Sequence, residues 1–200
     1  MRTDELLRRA NEHIQLLEKQ RELFDKYLEK LNQLELKNFF ALKQAIHTII
    51  KGKLIQRISE DLRKYSIELG KEATLLKIRL KELTFGVERE TDLIIKDYAK
   101  LDLKRSKLII NNLSYDEIVE DVICRVLGYE NTNSSGFILG WRILSKTSLL
   151  DSEIAMLTKR AQSFEKVICS DEAFYRTIFD EAKSKILKQE LNNLQVIFNF

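Results

Sequence analysis

The sequence predicts an all-α protein: an elongated helical bundle followed by a smaller helical module. Three observations carry that expectation. The chain has 200 residues, no proline and only six glycines, so the residues that interrupt helix interiors are absent or scarce. Leucine, isoleucine, lysine and glutamate, all at home in helices, are abundant. Apolar residues recur at three, four and seven positions, and no alternating strand pattern of useful length appears. With 44% hydrophobic residues and both charge signs interspersed, the chain reads as globular and long enough for one sizeable core or two small domains.

The first element spans residues 3–34. Leu6, Ala10, Ile14, Leu17, Phe24, Leu28 and Leu31 line one face, with Thr3 as N-cap and Asp4 and Glu5 in the first turn. At 1.5 Å per residue it makes a rod of about 45 Å that needs partner helices, in the same chain or another. The next segments supply them: Phe39, Leu42, Ile46, Ile49 and Ile50, a pattern interrupted at Gly52, then Leu54, Ile58, Leu62, Tyr65 and Leu69, closed by Gly70. Two further apolar segments flank Gly86, which either separates them or sits inside one helix at about 1 kcal/mol relative to alanine. Ser114 and Glu117 form a capping box for a helix carrying Ile118, Val119, Val122, Ile123, Val126 and Leu127, ended by Gly128. The loop-like composition of residues 131–136 divides a spine, 1–130, from a second module, 137–200, with short helices at 152–163, 171–178 and 181–196.

No catalytic constellation assembles. His13 and His47 stand alone, and neither belongs to a Glu-x-x-His motif of the kind that builds helical di-iron sites. Zinc, Walker and nucleophile-elbow patterns do not occur. Glu88, Glu90 and Asp92 alternate with Arg89 and Lys96, the pattern of a solvated face. Cys124 and Cys169 lack CxxC spacing and read as reduced packing residues of a cytoplasmic protein. No apolar run approaches the roughly 20 residues of a membrane span, and no secretory leader is read at the N-terminus. The net charge of +3 does not by itself imply nucleic acid. The basic stretch with Lys37, Lys43, Lys51, Lys53, Arg57, Arg63 and Lys64 reads as a solvated helical face.

Residues 175–191 keep the spacing of a helix-hairpin-helix, a motif that grips phosphate through backbone amides beside two glycines. Ile178 and Ile186 lie eight apart, but Thr177 and Phe179 replace the glycines and Lys183 replaces the small alanine. A β-branched threonine resists positive φ and phenylalanine blocks close approach.

With these segments in view the chain resembles the DNA integrity scanning (DisA) family of bacterial diadenylate cyclases. The resemblance is carried by residues 8–19 and 31–39 (LNQLELKNF). It is strongest over 57–98, ending Lys96-Asp97-Tyr98, and returns in Val126-Leu127-Gly128-Tyr129 and Gly140-Trp141-Arg142-Ile143-Leu144-Ser145. It implies a helical linker acting as a spine. In the family that spine lies between an N-terminal domain that condenses two ATP molecules into cyclic di-AMP and a C-terminal domain that contacts branched DNA and thereby controls the cyclase. The chain starts where the cyclase domain would end, the Asp-Gly-Ala and Arg-His-Arg signatures are absent, and Thr147-Ser148 replace the prolines expected after Lys146. The expectation is a non-catalytic regulatory or scaffold protein with no cofactor, metal, small-molecule substrate or membrane, whose partner is itself or a full-length diadenylate cyclase. The alternatives are a weak binder of branched-DNA backbone through Arg176, Lys183, Lys185 and Lys188, or a fragment of a diadenylate cyclase.

Overall fold

The computed structural model describes residues 2–197, and among them every regular element is helical. Helix α1 (Arg2–Asn38) is a single rod of 37 residues, about 55 Å long, and continues past the expected end. Thr3 lies inside it rather than capping it. Helix α2 (Leu42–Leu69) returns antiparallel, with Arg2 meeting Glu68 at one end. The α1 stripe is satisfied within the chain: Leu17 and Leu31 are fully buried, and Ala10 and Phe24 nearly so. The turn between the two rods places Phe39 at φ +60, a conformation rare for a bulky residue; its ring packs edge-on against Phe164.

Gly52 does not interrupt α2. The helix runs through it, and the missing side chain lets α4 (Val87–Tyr98) approach: a Cβ there would overlap Thr91 and press on the Phe24 ring. Helix α3 (Thr74–Thr84) precedes α4, and Gly86, at φ +74, separates them. Arg79 of α3 reaches Glu18 of α1 at 3.1 Å, and Arg21 donates to the Leu83 and Phe85 carbonyls at 3.1 and 2.7 Å. Helix α5 (Leu103–Asn111) follows. The capping box at Ser114 and Glu117 is present, but it opens a single 3-10 turn, and α6 (Glu120–Leu127) begins after it.

The C-terminal helices are α7 (Trp141–Leu144), α8 (Asp151–Ala161), α9 (Phe164–Cys169), α10 (Glu172–Arg176) and α11 (Glu181–Ile197). Neither α7 nor α9 is separately visible in the sequence. Gln162 adopts φ +66 between α8 and α9, so no glycine or proline marks that break. Buried Phe164, Val167 and Ile168 hold α9 in place, and Cys169 at its end is exposed, unlike buried Cys124.

Two groups of buried side chains result. One fills the far half of the spine with Leu17, Phe24, Ile55, Leu62, Leu80 and Val87. The other runs from Leu31 on α1 through Ile46, Ile94 and Leu127 to Ile154, Phe164 and Leu191, without a break at residues 131–136.

Candidate functional site

The junction between the spine and the C-terminal helices is built around charges buried where apolar residues are expected. Glu35 lies four residues after Leu31 and so continues the α1 stripe toward the core; it is fully buried. Facing it is Arg142 of α7, also fully buried, which forms an ion pair with Glu35 and donates to the Asn32 side-chain oxygen. The Tyr98 hydroxyl donates to Glu35 at 3.3 Å and accepts the Ala41 amide at 3.0 Å. One residue earlier, Asp97 accepts the Trp141 amide at 2.8 Å and the Arg142 amide at 3.1 Å. Lys96 lies over the Trp141 indole, 3.3 Å from its centroid, a cation–π contact.

Three segments that carry the family resemblance, far apart in the chain, thus meet at one point: LNQLELKNF supplies Asn32 and Glu35, Lys96-Asp97-Tyr98 ends α4, and Gly140-Trp141-Arg142 opens α7. The sequence marks these segments without setting Glu35, Asp97 or Arg142 apart within them. The available signal was a carboxylate at an apolar stripe position.

The electrostatics follow from burial. Removing the Arg142 guanidinium from water lowers its pKa, and Glu35 supplies the compensating charge. Burial raises the Tyr98 hydroxyl. It also pushes the Asp97 carboxyl up to about 6, against the pull of the Arg142, Trp141 and Gly140 amides and of Lys96. Protonated Asp97 is therefore favoured by the fold. Its contribution to stability is complete below about pH 4 and lost as pH rises through about 6, on the order of 3 kcal/mol in all. Urea unfolding of wild type and Asp97→Asn between pH 4 and 7 should show the difference shifting by that amount in the variant's favour at pH 7. Parallel curves would contradict it. Sealed from solvent, Glu35, Asp97, Tyr98 and Arg142 tie α1, α4 and α7 together and present no open face to a substrate.

The remaining sequence-singled residues lie elsewhere. His47 bonds Glu120 at 2.8 Å, and His13 meets the Tyr65 ring edge-on. Asp92 pairs with Lys107 at 3.2 Å. Lys53 and Arg57 are not part of a solvated face: buried Lys53 donates to Gln56 and Asn111, and Arg57 to the Asn111 and Leu113 carbonyls. Among the described residues no group of three or more His, Cys, Asp or Glu is placed to hold a metal ion, and no helix is long and apolar enough to cross a membrane.

The α10–α11 hairpin forms, with a register one residue later than the sequence spacing suggests. Ser184 and Leu187 take the buried positions, whereas Lys183 is partly exposed and Ile186 half exposed. No residue from 177 to 180 has positive φ, so the turn needs no glycine. The Asp180 carboxylate accepts the Lys183 amide at 2.7 Å and so occupies the helix end to which a phosphate would bind. The four basic residues each have a partner in the chain. Arg176 pairs with Glu172 at 2.8 Å, Lys183 with Glu153 and Lys185 with Glu181 at 3.4 Å, while Lys188 donates to the Ser170 carbonyl at 2.9 Å. Ser148, where the resemblance expects proline, donates its amide to Glu190 at 3.0 Å, a bond proline cannot make.

Comparison with known proteins matches residues 1–135 to the DisA bacterial checkpoint controller linker region. Among curated proteins, the DNA integrity scanning protein DisA of Clostridium botulinum (strain Alaska E43 / Type E3) is 31% identical over 97% of this chain and 58% of its own length. The protein of the same name from Bacillus subtilis (strain 168) is 32% identical over 74% of this chain and 43% of its own length. The chain therefore spans less than two thirds of the length of these relatives.

Proposed function

The chain belongs to the DisA linker family, and from that premise we propose that it works as a non-catalytic helical spine, a scaffold that assembles with itself or with a full-length diadenylate cyclase. In this reading residues 1–130 are the spine and residues 137–200 the module it carries. The observation behind it is the buried cluster of Glu35, Asp97, Tyr98 and Arg142, which holds α7 against α1 and α4. Such a joint suits a part that transmits position rather than one that turns over substrate.

Assembly needs a surface, and the α1 stripe is not free to provide it because α2 and α3 cover it. The outer face of α3 is the alternative. Leu75 and Ile78 there, with Phe85 just past its end, are 80%, 53% and 78% exposed, a spacing that aligns them on one side of the helix. Light scattering after size exclusion, on the chain alone and mixed with a full-length DisA-type cyclase, tests the proposal. Self-association or co-elution is expected, lost in the Ile78→Lys/Phe85→Lys variant. A strict monomer that never co-elutes, or measurable ATP turnover by the chain itself, would overturn it.

A further inference from the structure

Helices α5 and α6 leave a groove of about 760 Å³ between them, lined by Leu101, Arg105, Ile109, Val122, Arg125 and Val126, with Asp102 and Ser106. Its floor is hydrocarbon. Val122 and Val126 are half-buried against the core, while Leu101 and Ile109 stand 71% and 37% exposed and neighbouring Leu108 64%. Ser106 explains why the groove exists: its small side chain sits between the two helices and donates to the Val126 carbonyl at 3.2 Å, so no larger residue fills the space. The walls are fixed as well, because the Lys100 amide donates to the Leu127 carbonyl at 2.8 Å and ties the entry of α5 to the end of α6.

The rim has a defined charge. Arg105 of α5 and Arg125 of α6 both line the groove and are exposed. Arg125 bonds only the Asp121 carbonyl, and neither guanidinium reaches a carboxylate within ion-pair distance among the described residues. The one carboxylate in the lining, Asp102, is occupied with the Lys104 and Arg105 amides at 3.0 and 3.3 Å. Arg8, Arg9, Arg21, Arg79 and Arg176 have acidic partners, whereas among the described residues Arg105 and Arg125 share the unpaired state with Arg63, Arg89 and Arg160 and differ from those three in lining this groove.

We propose that this groove docks an acidic amphipathic helix of a partner protein, its apolar face on Leu101, Ile109, Val122 and Val126 and its flanking carboxylates on Arg105 and Arg125. Within the groove Ile109 stands on α5 and Val122 and Val126 on α6, so apolar side chains of two helices face the same space, as a helix-in-groove contact requires. A bound strand would need a sheet edge, and the described residues contain none. Exposed Lys100 and Lys104 add positive charge beside the groove, so a nucleic-acid backbone is an outcome of the test, and the hydrocarbon floor favours the helix. The partner's carboxylates also gain from meeting guanidinium groups that have no competing partner. This site is separate from the α3 face, so its failure and a failure of spine assembly are independent.

The test uses three fluorescent probes on the full chain: a 16-residue helical peptide with leucine at i, i+3, i+4 and i+7 and glutamate at the flanking positions, its lysine counterpart, and a short DNA duplex. Anisotropy should rise only with the glutamate peptide. Affinity should fall about tenfold or more in Arg105→Glu/Arg125→Glu, whose side chains are exposed, and in Ile109→Asp, each variant checked for wild-type circular dichroism. Equal binding of both peptides, no binding of the acidic one, an unchanged affinity in the arginine variant, or binding of DNA in its place would each overturn the proposal.

Discussion

Arg142→Ala is expected to destabilise the protein by about 3–5 kcal/mol, because it leaves Glu35 charged, fully buried and without its cationic partner. For a chain of this size that corresponds to a fall in Tm of roughly 10 °C. Among the described residues the Tyr98 hydroxyl is the only other donor bonded to the Glu35 carboxylate, at 3.3 Å, too little to replace a guanidinium. The cost belongs to the unpaired charge and not to the pair as such. Glu35→Leu/Arg142→Met should therefore recover most of the stability while losing the polar specificity of the joint. Thermal and urea denaturation of the single and double variants measure both values. A double variant as unstable as Arg142→Ala would show that the packing volume of arginine, rather than its charge, is what matters.

Gly140→Ala should have the second-largest effect, about 2–5 kcal/mol, from two additive causes. Gly140 sits at φ +94, where an L side chain costs roughly 1–2 kcal/mol. The added methyl would also overlap the ring of Phe164, which is fully buried and has nowhere to move, an overpacking term of about 1–3 kcal/mol. Because Gly140 precedes the Trp141 and Arg142 amides bonded to Asp97, the damage should concentrate at the joint. Alanine at Gly52 makes a useful contrast. That position is an ordinary helical one where alanine gains about 1 kcal/mol of propensity, offset by its overlap with Thr91 and Phe24. Both variants carry an overlap, so unfolding measurements should place Gly140→Ala above Gly52→Ala by the backbone cost of its positive φ and the missing gain in propensity.

The spine was legible because long helices repeat their apolar signal over many turns: the α1 stripe, the Ile46-Ile49 side of α2 and the end at Gly70 all read directly from spacing. The short C-terminal helices were less so. Helix α9 has six residues and is separated from α8 by a glutamine in the left-handed region, which leaves no compositional mark. Gly52 reads as a break in one dimension and acts as a contact point in three, a difference that depends on Thr91, far along the chain. The charged joint was the least legible part. Its members are 110 residues apart at the extreme, from Asn32 to Arg142, and charge on an apolar face has no meaning until its partner is placed. Resemblance to a family pointed to the right segments without saying that they touch. In the basic C-terminal stretch the sequence showed cations, while the structure shows the carboxylates beside them.

Native-state hydrogen exchange addresses the claim that the spine and the C-terminal helices move as one piece. Amides of Leu17 and Ile49 in the spine, and of Leu157 and Val167 beyond the joint, should share the same slowest exchange class in the wild type. In Arg142→Ala the second pair should exchange faster than the first. If Leu157 and Val167 already exchange orders of magnitude faster than Leu17 and Ile49 in the wild type, the joint does not couple the two parts.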